Sequence, residues 1–425
     1  MKIEPKLYRL SNGIPVILDP MDLETVAVKI AFDTGSRDEK PSEYGITHFC
    51  EHVFCCGSSR FPNKKDRKDF LENHCGTINA STGFTTLSFY GRIIAENLSI
   101  LTDVLADMLN NALFDKKQID LERGTIIDEM RRGLDKPDRQ LRDFVYKNAF
   151  DACVPNGTLT LGNEETIKSF TPEQLREYAN KHMSTKNCTI TISGRILDTD
   201  KTIKQLDKLF AFLPVHDVLK DTSKKYTQFI GHNIIAANKN VKINVLWPAL
   251  FKDLYENIYK NKCVGRFESF LRRELMEILR NKNGLVYGVG LADYGYPHNE
   301  IVGIGTETSV ENLPRVVALI AQTAYRVYNE HPIDQNELDK MFNLGRLGDA
   351  DFLESSTSRC DQFNFFYRWY GRVYDFYESV KQKKSITPED VIKYTNGYFD
   401  GPMSIITQGA DFDCDLRQIW IDNFK

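Results

Sequence analysis

The chain has 425 residues, 41% of them apolar, which is enough to bury large cores and, by size, to form two or more domains rather than one. A formal net charge of −4 and a pI near 6.1, with Lys and Arg scattered along the chain, give no basic field for a phosphate backbone, so no nucleic-acid partner is expected. No apolar run approaches the roughly eighteen residues of a spanning helix, and MKIEPKLYRLSNG at the N-terminus has the features of neither a signal nor a transit peptide; no membrane partner is expected, and the cytoplasm is the expected location.

In chain order, VAVKIAFDTG, residues 26–35, reads as a strand. GITHFCEHVFCC, residues 45–56, then places His48 and His52 four apart, on one face of a predicted helix, with Glu51 pointing to nearly the same side. Two imidazoles suit zinc, a catalytic site needs a third protein ligand and an open position for water, and a nearby carboxylate can take that water's proton. H-x-x-E-H is the inverted form of the better-known zinc helix. The plainer alternative is two polar residues on a solvated helix face. Cys50, Cys55 and Cys56 crowd the motif. The chain's nine cysteines lack disulfide-framework spacing, so these three read as small buried hydrophobes; thiolate ligation would want a C-x-x-C pair that is missing.

TTLSFYGRI, residues 85–93, reads as another strand, and residues 96–113 carry Leu98, Leu101, Leu105, Met108 and Ala112 at helical spacing. QIDLERGTIIDEMRRGL follows, with Glu122 and Glu129 seven apart, two helical turns, both facing one way. Either could be the third ligand, with the other orienting a ligand histidine. NCTITISG, ending at Gly194, reads as a closing strand.

The chain then repeats itself. AENLSIL from Ala95 has an echo in VENLPRV from Val310, FTPEQLREY from Phe170 in ITPEDVIKY from Ile386, and TISG ending at Gly194 in ITQG ending at Gly409, at offsets of 215, 216 and 215. One offset kept across three separated matches implies a duplicated unit of roughly two hundred residues. Two homologous α+β sandwich domains are expected, each a mostly antiparallel sheet covered by helices, with the chain dividing as 1–215 and 216–425 near LPVHDVLKDTSKKY, residues 213–226. The second unit has no H-x-x-E-H, and Glu129 meets Leu344 at the common offset, so only the first unit is expected to bind metal.

At this point the chain resembles the pitrilysin/insulinase-type zinc metallopeptidases, the inverzincins, and most of all their mitochondrial-processing-peptidase branch. The resemblance rests on GITHFCEHVFCCGSSRFP, on the 76 residues between His52 and Glu129 within ERGTIIDEM, on CGTINASTGFTTLSFYG and on LRRELMEILRNKNGLVYGVG. It implies a processing-peptidase-like metallohydrolase fold, with zinc on His48, His52 and Glu129, Glu51 as general base toward the attacking water, and Glu122 as supporting carboxylate. It further implies that Asn79 and Ala80 lie on an edge strand that holds an extended substrate, and that Arg280 and Tyr287 of the second domain reach the scissile carbonyl. Cys55, Cys56 and Val154 depart from the usual residues of the family, at positions that are not ligands.

The expected function is a zinc endopeptidase that hydrolyses unfolded peptides in an enclosed chamber. The alternative is a non-catalytic or leader-trimming subunit of a heteromeric peptidase. A homodimer is the expected assembly, each site joining one subunit's first domain to the partner's second; a heterodimer with a related subunit is the other arrangement. Cobalt or manganese could occupy the same nitrogen and oxygen donors.

Overall fold

A computed structural model describes residues 4–220, 225–251, 257–296 and 299–425; residues 221–224 of the expected boundary segment lie outside these. The strands in chain order are β1 (Lys6–Arg9), β2 (Pro15–Pro20), β3 (Thr25–Phe32), β4 (Thr77–Thr82), β5 (Leu87–Ile94), the short pair β6 (Gly157–Thr158) and β7 (Gly162–Asn163), β8 (Cys188–Gly194), β9 (Ile230–Ile234), β10 (Asn240–Pro248), β11 (Val289–Tyr296), β12 (Asn299–Ser309) and β13 (Ser404–Gly409). The helices are α1 (Ile46–Cys56), α2 (Lys64–Asn73), α3 (Leu98–Asn110), α4 (Lys116–Leu134), α5 (Pro137–Ala149), α6 (Glu164–Ser169), α7 (Pro172–His182), α8 (Thr199–Leu209), α9 (Ile258–Leu275), α10 (Leu313–Glu330), α11 (Gln335–Glu354), α12 (Ser356–Tyr370), α13 (Phe376–Lys384), α14 (Pro388–Thr395) and α15 (Leu416–Asn423).

These elements form two compact units, each drawing on both halves of the sequence. The first comprises Met1–Asp135, Val154–Thr222 and Leu347–Phe376; the second comprises Lys136–Cys153, Ser223–Arg346 and Tyr377–Lys425.

The first unit is built on a six-stranded sheet in the order β1-β2-β8-β3-β5-β4, antiparallel except where β2 runs parallel to β8. Every residue of β8 is buried. The pleat explains this: successive side chains point to opposite faces, and both faces are covered. Cys188, Ile190 and Ile192 join the apolar core with Val28, Ile30, Leu101 and Leu105. Thr189 and Thr191 face α12, whose Asn364 amide donates to the Thr189 carbonyl and the Thr191 hydroxyl at 3.2 Å each. Arg359 of α12 is locked on the same face by Asp19 of β2, neither residue having any exposed surface.

The second unit repeats the plan with a five-stranded sheet in the order β11-β12-β10-β13-β9, where only β13 and β9 run parallel. Val241, Ile243, Val245 and Trp247 alternate along β10 into a core shared with α9, α10, α14 and α15. Lys242, on the opposite face, pairs with Asp138 of α5, and Gln408 of β13 donates to the Pro137 carbonyl at 2.7 Å.

The sequence repeat is therefore structural. Thr171 and Thr387 cap α7 and α14 with the same capping box ahead of a proline, and Gly194 and Gly409 end β8 and β13 in the same positive-φ conformation. The helices after α4 and α11 have exchanged places: α5, from the first half, covers the second sheet, and α12, from the second half, covers the first.

Candidate metal centre

Helix α1 begins where the chain turns at Gly45 with φ +87, a conformation that favours glycine. The turn also has no room for a side chain, since a Cβ at Gly45 would sit 2.5 Å from the Leu161 carbonyl oxygen and 2.8 Å from Ile167 Cδ1. From there Phe49, Cys50, Val53 and Phe54 enter the core. The other face carries His48, Glu51 and His52. The long helix α4 starts at Asp115, whose carboxylate accepts the Gln118 N–H at 3.0 Å, and it packs Ile126, Ile127 and Met130 inward.

The packing of α1 against α4 brings the expected residues together. The rings of His48 and His52 lie edge to face with centroids 4.6 Å apart. Their Nε2 atoms are 3.9 and 3.8 Å from Glu129 Oε2, and one donor atom from each of the three residues falls within 4.8 Å of the other two. Four ligands at zinc distances of about 2.0–2.1 Å sit roughly 3.3 Å apart in a tetrahedron, so a contraction of at most about 1.5 Å turns this cluster into a three-ligand set. Among the described residues it is the only such group. His48 is buried, whereas the Glu129 side chain is 45% exposed, which leaves one side open to solvent. Two imidazoles, one carboxylate and an open side are the donor chemistry of a catalytic zinc site, and the residues fit that ion.

Glu122, one helical face with Glu129, meets the other nitrogen of His52, with Oε2 2.6 Å from Nδ1. Burial pushes the Glu122 carboxyl up, but His52 and Lys64, the latter 2.6 Å from Oε1, outweigh it and hold the group at about 2. Glu122 is thus a carboxylate that accepts from His52 Nδ1, while His52 Nε2 faces Glu129. Burial also pushes Glu51 up, helped by Glu129 and opposed by the Thr82 hydroxyl, which donates to Glu51 Oε2 at 2.5 Å, and by His52. Cys55 and Cys56 take no place in the cluster; burial pushes their thiols up to about 11 and about 12.

Asn79 and Ala80 lie on β4, at the end of the sheet order, with Asn79 exposed and Ala80 buried. The Ala80 N–H donates to the Asn79 side-chain oxygen at 2.9 Å. Arg280 and Tyr287 belong to the second unit. Arg280 sits in a π-helical turn, Met276–Lys282, that continues α9, and its guanidinium lies 4.9 Å over the Tyr287 ring. Tyr287 is 87% exposed and borders an open cleft of about 950 Å³ with Gly284, Gly288 and Asp293.

Thr82 and Lys64, which complete the partners of Glu51 and Glu122, carry no sequence signal of their own. Threonine ending a strand and lysine opening a helix are ordinary, and only the packing of β4 and α2 brings them to α1 and α4.

A family model described as Insulinase (Peptidase family M16) matches residues 17–160, and one described as Peptidase M16 inactive domain matches residues 169–344. A Rickettsia bellii protein named "Uncharacterized zinc protease" is 25% identical over 407 residues, covering 94% of this chain and 96% of its own. Mitochondrial-processing peptidase subunit beta of Dictyostelium discoideum is 30% identical over 238 residues, covering 55% of this chain and 50% of its own. Among solved structures, a protease from Helicobacter pylori superposes with a TM-score of 0.81 at 16% identity, over 96% of this chain and 100% of that one, a likeness of fold.

Proposed function

Because the chain belongs to the insulinase family, peptidase family M16, with both its N-terminal and its inactive-domain halves, we propose that it is a zinc-dependent endopeptidase hydrolysing unfolded peptides in an enclosed chamber. The observation that carries the reading is the convergence of His48, His52 and Glu129 beside Glu51, in a chain whose relatives are named zinc proteases.

His48, His52 and Glu129 would hold the ion. When bound, zinc supplies Lewis acidity, polarising the scissile carbonyl and making water more acidic. Glu51 accepts the proton of the attacking water and passes it to the departing amine, and its burial raises its basicity for the first transfer. Thr82 holds one Glu51 oxygen, which leaves the other to face the water. Glu122 keeps the His52 ring oriented through Nδ1. An extended substrate adds a strand beside β4, with the Ala80 N–H released from Asn79 to bond its backbone; selection then rests on main-chain hydrogen bonds more than on side chains. Arg280 and Tyr287 are the donors for the tetrahedral oxyanion.

The active species in this reading is a homodimer working in the cytoplasm, which nine cysteines without disulfide-framework spacing support. A heteromeric assembly is the second arrangement, favoured by relatives named as β subunits. The test is Glu51→Gln with a quenched peptide. Zinc content should stay at one per site while turnover falls by about 10²–10⁴; undiminished turnover would put the base elsewhere.

A further inference from the structure

Helix α1 has none of the usual end groups of its own. Its N-cap is Gly45, there is no acidic residue in its first turn, and there is no basic residue in its last. A helix leaves its first N–H and last C=O groups without partners along its own backbone, and most of α1 is buried, where water cannot serve instead. A side-chain cap at position 45 is barred by the backbone angle and by the crowding described above.

Both ends are served from outside. Glu39, in the loop before the helix and 9% exposed, accepts the Gly45 N–H on Oε2 at 2.7 Å and the Thr47 N–H on Oε1 at 2.9 Å. Arg67, on α2 and 5% exposed, donates from Nη2 to the Cys55 carbonyl in the last turn. Both ends are thus closed by hydrogen bonds; burial pushes the Glu39 carboxyl up to about 8, so it acts on the helix through the two N–H groups it accepts and not through a full charge. Rotation about the axis is fixed separately by α7: the Thr47 hydroxyl is 2.7 Å from the Tyr178 hydroxyl, and the Cys50 thiol donates to the Leu175 carbonyl at 3.4 Å.

Thr47 directly precedes His48, and Cys55 follows His52 by three residues. Glu129 and Glu122, on α4, are independent of both contacts. Any slide of α1 along its axis would shift the two imidazoles together relative to α4, opening the Nε2 to Oε2 distances that define the cluster. Directional hydrogen bonds at the two ends resist that slide in addition to the packing along the flank.

We infer that Glu39 and Arg67 are positioning residues that clamp α1 at its two ends and set the axial register of His48 and His52 against Glu129. The inference rests on the proposal that this cluster binds zinc. It names side chains that touch neither the metal nor the substrate, and it requires that they govern metal affinity beyond their share in stability.

The experiment measures zinc affinity by competition with a chromophoric chelator, and the visible d–d spectrum of the cobalt(II) form, in the full-length chain. The variants are Glu39→Gln, Arg67→Met, the double variant, His48→Ala, and Leu206→Ala, a core truncation on α8 that lowers stability without touching either end of α1. Glu39→Gln and Arg67→Met should each weaken zinc by about 10-fold or more, as loss of outer-shell support does, and each should alter the cobalt band intensities. Leu206→Ala should lower the thermal midpoint of the metal-free protein and leave affinity and spectrum as in the wild type. Where a variant does not fold, Glu39→Asp and Arg67→Lys replace it, with the same affinity and spectral criteria. Wild-type affinity within twofold and an unchanged spectrum in the Glu39 and Arg67 variants overturn the clamp and leave the metal site standing. A wild type that does not bind zinc, or binds it no better than His48→Ala, overturns the metal reading itself.

Discussion

Glu122 Oε2 lies 2.6 Å from His52 Nδ1, while Lys64 holds the other oxygen of the same carboxylate at 2.6 Å. The relay engages His52 Nδ1 and leaves Nε2 facing Glu129. Glu122→Gln keeps an acceptor for Nδ1–H but removes its charge, and zinc affinity should fall by roughly tenfold, read by chelator competition. If affinity stays at the wild-type value, His52 is oriented by packing alone.

Strand β4 lies at the edge of the sheet, and the Ala80 N–H donates to the Asn79 side chain. Ala80→Pro deletes that donor. One net hydrogen bond of about 0.5–1.5 kcal/mol corresponds to KM rising by roughly 2- to 12-fold, with zinc content unchanged. Steady-state kinetics on an unstructured peptide measure it, and an unchanged KM would remove this edge from the substrate path.

Asp19 and Arg359 form an ion pair with no exposed surface on either side chain, joining β2 to α12. Burial pushes the Asp19 carboxyl up, and Arg359 opposes it. Asp19→Asn leaves a buried guanidinium without its counter-charge and should destabilise the fold by about 3–5 kcal/mol, whereas the pair Asp19→Leu with Arg359→Met should recover much of that loss. Denaturant unfolding distinguishes the two outcomes.

His182 stacks on Tyr178 with ring centroids 4.1 Å apart, and its Nε2 is buried without a hydrogen-bond partner among the described residues. Burial, with Lys181 adding to it, pushes its pKa down to about 4, below the ordinary value of 6.5. The folded state thus favours the neutral ring. Its contribution to stability is complete above pH 6.5 and is lost as the pH falls toward 4, where the unfolded chain takes up the proton first. Between pH 7 and pH 4 the wild type should lose roughly 2–3 kcal/mol more than His182→Phe, which keeps the stacked ring and cannot titrate. Parallel acid-unfolding curves would show that the buried imidazole is not the group responsible.

Much of the site was legible because its chemistry is local. His48, Glu51 and His52 lie within five residues, and helical geometry alone puts two imidazoles on one face. The duplication was legible for the same reason: Thr171 and Thr387 carry their capping signals in their own short segments, and both cap helices. Periodicity left Glu122 and Glu129 equivalent as candidates for the third ligand, since residues two turns apart share a face. The family resemblance assigned them, and the packing of α4 on α1 then gave each its own nitrogen of His52. Glu39, Lys64, Arg67 and Thr82 had no local mark, because their partners are reached through space and a lone charged or hydroxyl residue on a loop, helix or strand end is ordinary.

By itself the sequence determined the two homologous α+β units, the helix that carries the paired imidazoles, and the restriction of that motif to the first unit. Only the tertiary structure decided that α5 and α12 exchange sheets, that β8 is covered on both faces, and that α1 is held at its ends by Glu39 and Arg67. Residue spacing encodes contacts within one element, where the backbone enforces the geometry. Contacts between elements depend on which surfaces bury each other, and that is settled only when the whole chain packs.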